Sequence, residues 1–81
     1  MPIRFEGETA RFDGACTADE AIPLAEWMEA ATAPRVDLGA CTGLHTALLQ
    51  VLMAGRAAVA VEPGDAFLKA WVAPLLRNGP R

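Results

Sequence analysis

The sequence predicts an α/β domain built on a mixed sheet, with elements in the order ββαβαβα and the helices packed on the sheet. Three observations predict it. Residues 3–12 alternate apolar with polar side chains on either side of Glu6-Gly7-Glu8, the pattern of a hairpin. Two later apolar segments of strand length, Arg35 to Leu38 and Ala57 to Val61, each follow a stretch of helical period. A third helical stretch follows the turn Pro63-Gly64-Asp65.

Ile3 to Phe5 and Thr9 to Phe12 are the hairpin strands, and Asp13-Gly14 marks the exit from the second. Thr17 and Glu20 have the spacing of a capping box. A helix starting at Thr17 would hold Pro23 in its interior, where a proline loses a backbone bond. With Asp19 as the cap, Pro23 falls in the first turn, and this start is preferred. Ile22, Ala25 and Met28 then share one stripe, with Leu24, Met28 and Ala31 on the adjoining one.

Arg35 to Leu38 reads as a short strand followed by a tight loop. The next helix, Thr46 to Ala54, carries Leu48, Leu49, Val51, Leu52 and Met53 around most of its circumference, which predicts burial on more than one side. Gly55 stands where a C′ glycine ends a helix. The unbroken apolar run Ala57 to Val61 is the signature of an interior parallel strand. Asp65 caps a last helix carrying Phe67, Leu68, Trp71, Val72 and Leu75, which Pro74 should kink or end. Trp27 and Trp71 are expected to pack in the core or lie half-buried, with a partner surface as the alternative.

The 81 residues suffice for one domain, 1–81, and not two, with 78–81 as a frayed tail. A domain this small buries only about 60–65% of its unfolded surface. The 53% hydrophobic content offsets that and argues for a folded chain. The same surplus leaves room for an apolar patch facing a partner or a second copy, so a homodimer is one expectation. A net charge of -3 without a basic stripe argues against nucleic acid and anionic membrane. The charged start, MPIRFEGETARF, has no apolar core of a secretory leader. The longest apolar run is interrupted by Gln50 and Gly55, short of the roughly 20 residues of a membrane helix. Two cysteines without an export signal predict reduced thiols in a cytosolic protein.

The most informative stretch runs from Arg35 to Gly55. A strand hands over to a helix there, with His45 and Thr46 at the mouth. Ligands and partners of open α/β sheets bind at that end of the strands. Thr46 also reads as a plain N-cap, and His45 as a residue that bonds nearby backbone or lies on the surface. Asp37 reads as a sheet-end residue bonding the loop that follows. Cys16, Cys41 and His45 all fall toward the same end of the sheet, a set of three soft ligands that could hold zinc with one position open. The cysteines lack C-x-x-C spacing, so packing as small hydrophobes is the competing reading. There is no Gly-rich phosphate loop, no G-x-S-x-G and only one histidine, so no cofactor and no catalytic residue is expected, and the chain reads as non-enzymatic.

Phe12-Asp13-Gly14, the core Val36-Asp37-Leu38 and His45-Thr46 opening an apolar helix resemble, nearly along the whole chain, the STAS domain of sulfate transporters and anti-sigma-factor antagonists. That family places an Asp-Ser pair at the helix mouth about seven residues after its V-D-L core. Here His45 stands for the acid, Thr46 for the serine and Leu48 for the following glycine. The resemblance implies a small STAS-like fold and a cytosolic signalling module that docks a protein partner, a kinase, an anti-sigma-like factor or another regulatory component, through Gly43, Leu44, His45, Thr46 and Leu49. It also implies Thr46 as a phosphoacceptor. A phosphate there would add about −1.5 to −2 charges to a docking surface, at a helix N-terminus with free N–H groups. The family equally includes constitutive accessory subunits of transport machines, which implies the same fold without phosphorylation.

Overall fold

The computed structural model describes residues 3–78. Four strands, β1 (Ile3–Glu6), β2 (Thr9–Cys16), β3 (Arg35–Leu44) and β4 (Ala58–Val61), form one sheet in the order β1-β2-β3-β4. The β1–β2 pair is antiparallel, whereas β2, β3 and β4 run parallel, so the sheet is mixed. A 3-10 turn, Ala18–Glu20, leads into α1 (Ala21–Ala30). Helix α2 (Thr46–Ala54) joins β3 to β4. The last helix spans 66–78, with a π-helical turn over Leu68–Val72 followed by α3 (Ala73–Asn78). The element order is ββαβαβα, as the hydrophobic pattern predicts.

Parallel neighbours laid down in sequence, joined by crossovers of one hand, place every helix on the same face of the sheet. Burial follows that rule. Ala10, Phe12 and Cys16 of β2 and Val36, Leu38 and Cys41 of β3 are buried, while Arg11, Asp13, Ala15, Arg35 and Thr42 are exposed on the other face. The helices answer with Leu24, Met28, Leu48, Leu52, Leu68, Val72 and Leu76. The open face is instead polar toward one end, where Arg4 pairs with Asp13 at 3.5 Å and Arg11 with Asp37 at 4.0 Å. The domain therefore has two layers.

The hairpin turn also anchors the end of α1. Trp27 Nε1 donates to the Gly7 carbonyl at 3.0 Å, and its ring stacks on Phe5 with centroids 5.5 Å apart. The Glu8 carboxylate accepts from the Ala33 N–H at 2.7 Å, and its carbonyl from the Arg35 N–H at 2.9 Å. Two residues of one turn thus set where α1 ends and where β3 begins.

The structure corrects six local expectations. Strand β2 does not exit at Asp13-Gly14 but continues to Cys16, with register shifts on either side of that pair. Gly14 has φ +69°, a conformation that only glycine adopts without strain, so it bends the strand instead of ending it. Strand β3 runs to Leu44, so the segment after Leu38 is strand, not loop. The cap of α1 is Glu20, one residue past Asp19, without a side-chain bond, and Pro23 still falls in the first turn. Gly55 is the right-handed C-cap of α2, and the left-handed residue is Arg56, at φ 56°. Strand β4 is an edge strand whose Ala58, Ala60 and Val61 are exposed, because nothing among the described residues pairs with its outer side. Pro74 does not end the last helix, which continues to Asn78. The Ala73 N–H bonds the Leu68 carbonyl five residues back, and this wide turn absorbs the proline. Of the tail 78–81, Asn78 is helical and 79–81 lie outside the described residues.

Candidate functional site

The C-terminal ends of β2 and β3 and the start of α2 meet at one place. The His45 N–H donates to the Cys16 carbonyl at 3.1 Å, carrying the β2–β3 ladder one residue past β3. The chain then turns into α2. His45 is extended, with φ -64° and ψ 145°, and its Nδ1 accepts the Ala47 N–H at 3.0 Å. The cap of α2 is therefore the imidazole and not the Thr46 hydroxyl. Thr46 is the first helical residue, exposed, and its hydroxyl has no hydrogen bond among the described residues.

The sequence-based candidates Gly43, Leu44, His45, Thr46 and Leu49 thus lie on one continuous turn of chain. Gly43, Leu44 and Leu49 are half-buried, and His45 and Thr46 are exposed. The N-terminal donors of α2 are largely engaged. Ala47 gives its N–H to the imidazole, and Leu48 and Leu49 give theirs to the His45 carbonyl at 2.9 and 3.2 Å. The expected set of free N–H groups is absent from these three residues. A phosphate on Thr46 would act through its charge and the helix dipole.

Cys16 and Cys41 are buried on the helix-covered face of adjacent strands. The Cys16 thiol reaches back toward the Asp13 and Gly14 carbonyls, at 3.9 and 3.8 Å. The Cys41 thiol reaches forward to the Gly43 carbonyl at 3.3 Å. Although Cys16 lies opposite Leu44 in the register, its thiol reaches back and that of Cys41 forward, and the two thiols interact across the strands. Burial, then the neighbouring Cys41, pushes the Cys16 thiol up to about 12, and burial raises Cys41 as well. Both are therefore protonated and poor nucleophiles at neutral pH. His45 does not join them. Its Nδ1 is committed to the helix, and no three metal-ligating side chains converge among the described residues. The three-ligand zinc reading has no geometry behind it.

Asp37 bonds the backbone two residues on, its Oδ1 accepting the Gly39 N–H at 3.0 Å, but both residues lie within β3, so the bond is made inside the strand and not to a loop at its end. Asp65 caps the last helix as expected, accepting from Phe67 and Leu68 at 2.9 and 3.1 Å. Two features escaped the sequence. Glu20, read as a capping-box partner, is only 5% exposed and its Oε1 has no hydrogen-bond partner among the described residues. The last helix is apolar on two sides, since Phe67, Trp71 and Leu75 are exposed while Leu68, Val72 and Leu76 are buried. The spacing of four within each set carried that signal.

The fold and site define a two-layer α/β domain with a polar strand-to-helix mouth. No family model, curated protein or solved structure matches the chain. No helix among the described residues is long and apolar enough to cross a membrane.

Proposed function

We propose that this chain is a non-enzymatic protein-interaction domain of STAS type, docking a regulatory partner at the mouth of α2 and regulated by phosphorylation of Thr46. One observation carries the reading. His45 has taken over the capping role, so the Thr46 hydroxyl sits exposed and unengaged at the first position of a nine-residue helix. A threonine needed only as a cap would have its oxygen on an N–H group. Gly43, Leu44 and Leu49 form the half-buried ground beside it, on which a partner would rest.

The switch follows from charge. Adding about two negative charges to an otherwise neutral contact desolvates badly and repels an acidic partner, so the phosphorylated form dissociates. The test is mass spectrometry of protein purified from its own host, combined with partner capture by three baits. Wild type and Thr46→Ala retain the same captured protein, and Thr46→Glu loses it by tenfold or more. Capture that is equal for all three baits, with no phosphate on Thr46 in any growth state, defeats the switch and favours a constitutive accessory subunit of a transport or regulatory complex.

A further inference from the structure

We infer that the helix layer is the interface of a two-fold homodimer, in which the last helix of each copy fills the groove between α1 and α2 of the other. This inference is independent of the reading at Thr46. It begins with an imbalance. Trp71 is 68% exposed, Phe67 65% and Leu75 46%, and they repeat at intervals of four on a helix whose other stripe is fully used in the core. A helix that is apolar on two sides is covered on two sides in a finished structure. Aromatic side chains bury large areas when they are covered, so an exposed Phe67 and Trp71 leave that stabilisation unused.

The same layer offers a matching hollow. The groove between α1 and α2 is lined by Ala25, Met28, Glu29, Val51, Ala54 and Gly55, mostly small or flexible side chains that leave room for a ring. Ile22, 72% exposed, begins α1 on the same side, and Glu26 and Glu29 stand on the rim. Neither carboxylate is in an ion pair among the described residues. Trp71 Nε1 has no acceptor among them either, whereas Trp27 Nε1 does. An unused indole donor and an unused rim acceptor are complementary in chemistry, as the rings and the groove are in shape.

Symmetry makes the match reciprocal. All three helices lie on one face, with α1 and α2 neighbours and the last helix on the β4 side of α2. A second copy facing this layer, related by a two-fold axis parallel to the helices, has its left and right exchanged. Its last helix then lies over α1 and α2, and the contact closes on itself without propagating. Phe67, Trp71, Leu75 and Ile22 together leave roughly 400–500 Å² of apolar surface per copy, taking about 150–250 Å² for a whole aromatic side chain. Two copies thus bury close to the ~1,000 Å² that a specific interface requires, before the groove itself is counted.

Sedimentation velocity of the full chain across about 1–500 µM tests this, with circular dichroism confirming that each variant folds. The wild type is expected to sediment as a dimer in the upper part of that range. Trp71→Glu, on the donor stripe, and Ala25→Arg, in the acceptor groove, are each expected to weaken dimerisation at least tenfold. A wild type that stays monomeric throughout overturns the inference. So does a dimer indifferent to both substitutions, or one that responds to only one of them, since the reciprocal arrangement needs both surfaces. Trp71→Phe, which keeps the ring and removes the N–H donor, is expected to retain most of the association, and its complete loss would contradict the fit of ring into groove.

Discussion

The imidazole Nδ1 of His45 accepts the backbone N–H of Ala47 at 3.0 Å, and this bond is the side-chain cap of α2. Replacing His45 by alanine leaves that N–H without its partner and should cost about 0.5–2 kcal/mol in urea denaturation. Asparagine, which can cap from the same place, should recover most of the loss. Thr46→Ala should stay within about 0.5 kcal/mol of wild type, because its hydroxyl makes no hydrogen bond among the described residues. A larger loss from Thr46→Ala than from His45→Ala would reverse the assignment of the cap.

The C-terminus of α2 places its two special residues in an unusual order. Gly55 is right-handed, and a Cβ there would collide with Met28 Cγ, so its small size serves the α1–α2 contact. Arg56 carries the left-handed conformation, at φ 56°. Gly55→Ala should therefore destabilise by about 1–3 kcal/mol through overpacking. Arg56→Gly should stabilise by about 0.5–1 kcal/mol, the left-handed cost less the added freedom of the unfolded chain. Thermal unfolding of the two variants side by side checks the opposite signs.

Alkaline pH should destabilise the fold through Cys16. Its thiol stays protonated to about 12 in the folded chain, whereas an ordinary thiol near 9.0 has already ionised. The unfolded state then binds fewer protons than the folded state, so stability is intact below about pH 9 and declines as pH climbs toward 12. Urea midpoints measured between about pH 8 and 10.5 should fall in the wild type and fall less steeply in Cys16→Ala. Parallel slopes would show that the buried thiols do not control the alkaline limb.

The core is small enough for one cavity to matter. Phe12 is completely buried between the sheet and the helices. Phe12→Ala should cost about 3–5 kcal/mol, against total stabilities of about 5–15 kcal/mol for domains in general. Loss of the cooperative melt by circular dichroism is the expected result. An unchanged melting temperature would mean that the ring contributes nothing to the fold.

Much of the architecture was legible because period and punctuation agree. Alternation around Gly7 gave the hairpin, the helical spacing from Thr46 to Ala54 gave α2 to the residue, and Asp65 announced its own cap. The errors fell where a local signal has two meanings. Asp13-Gly14 is turn chemistry, yet here it bends a strand whose hydrogen bonds continue on both sides. Ala58–Val61 has the composition of an interior strand, yet whether a strand is interior depends on which neighbours exist and not on its own residues.

The sequence by itself determined the order of the elements, the mixed character of the sheet and the place where β3 delivers His45 and Thr46 to a helix. These are properties of short stretches, in which periodicity and capping act over a few residues. Only the tertiary structure decided that His45 caps α2, that Cys16 and Cys41 lie together without a third ligand among the described residues, and that one stripe of the last helix finds the core while Phe67, Trp71 and Leu75 do not. Those outcomes depend on how distant strands and helices pack side by side. A residue's neighbours across a sheet or a helix layer are set by the whole fold and are not written in its own segment.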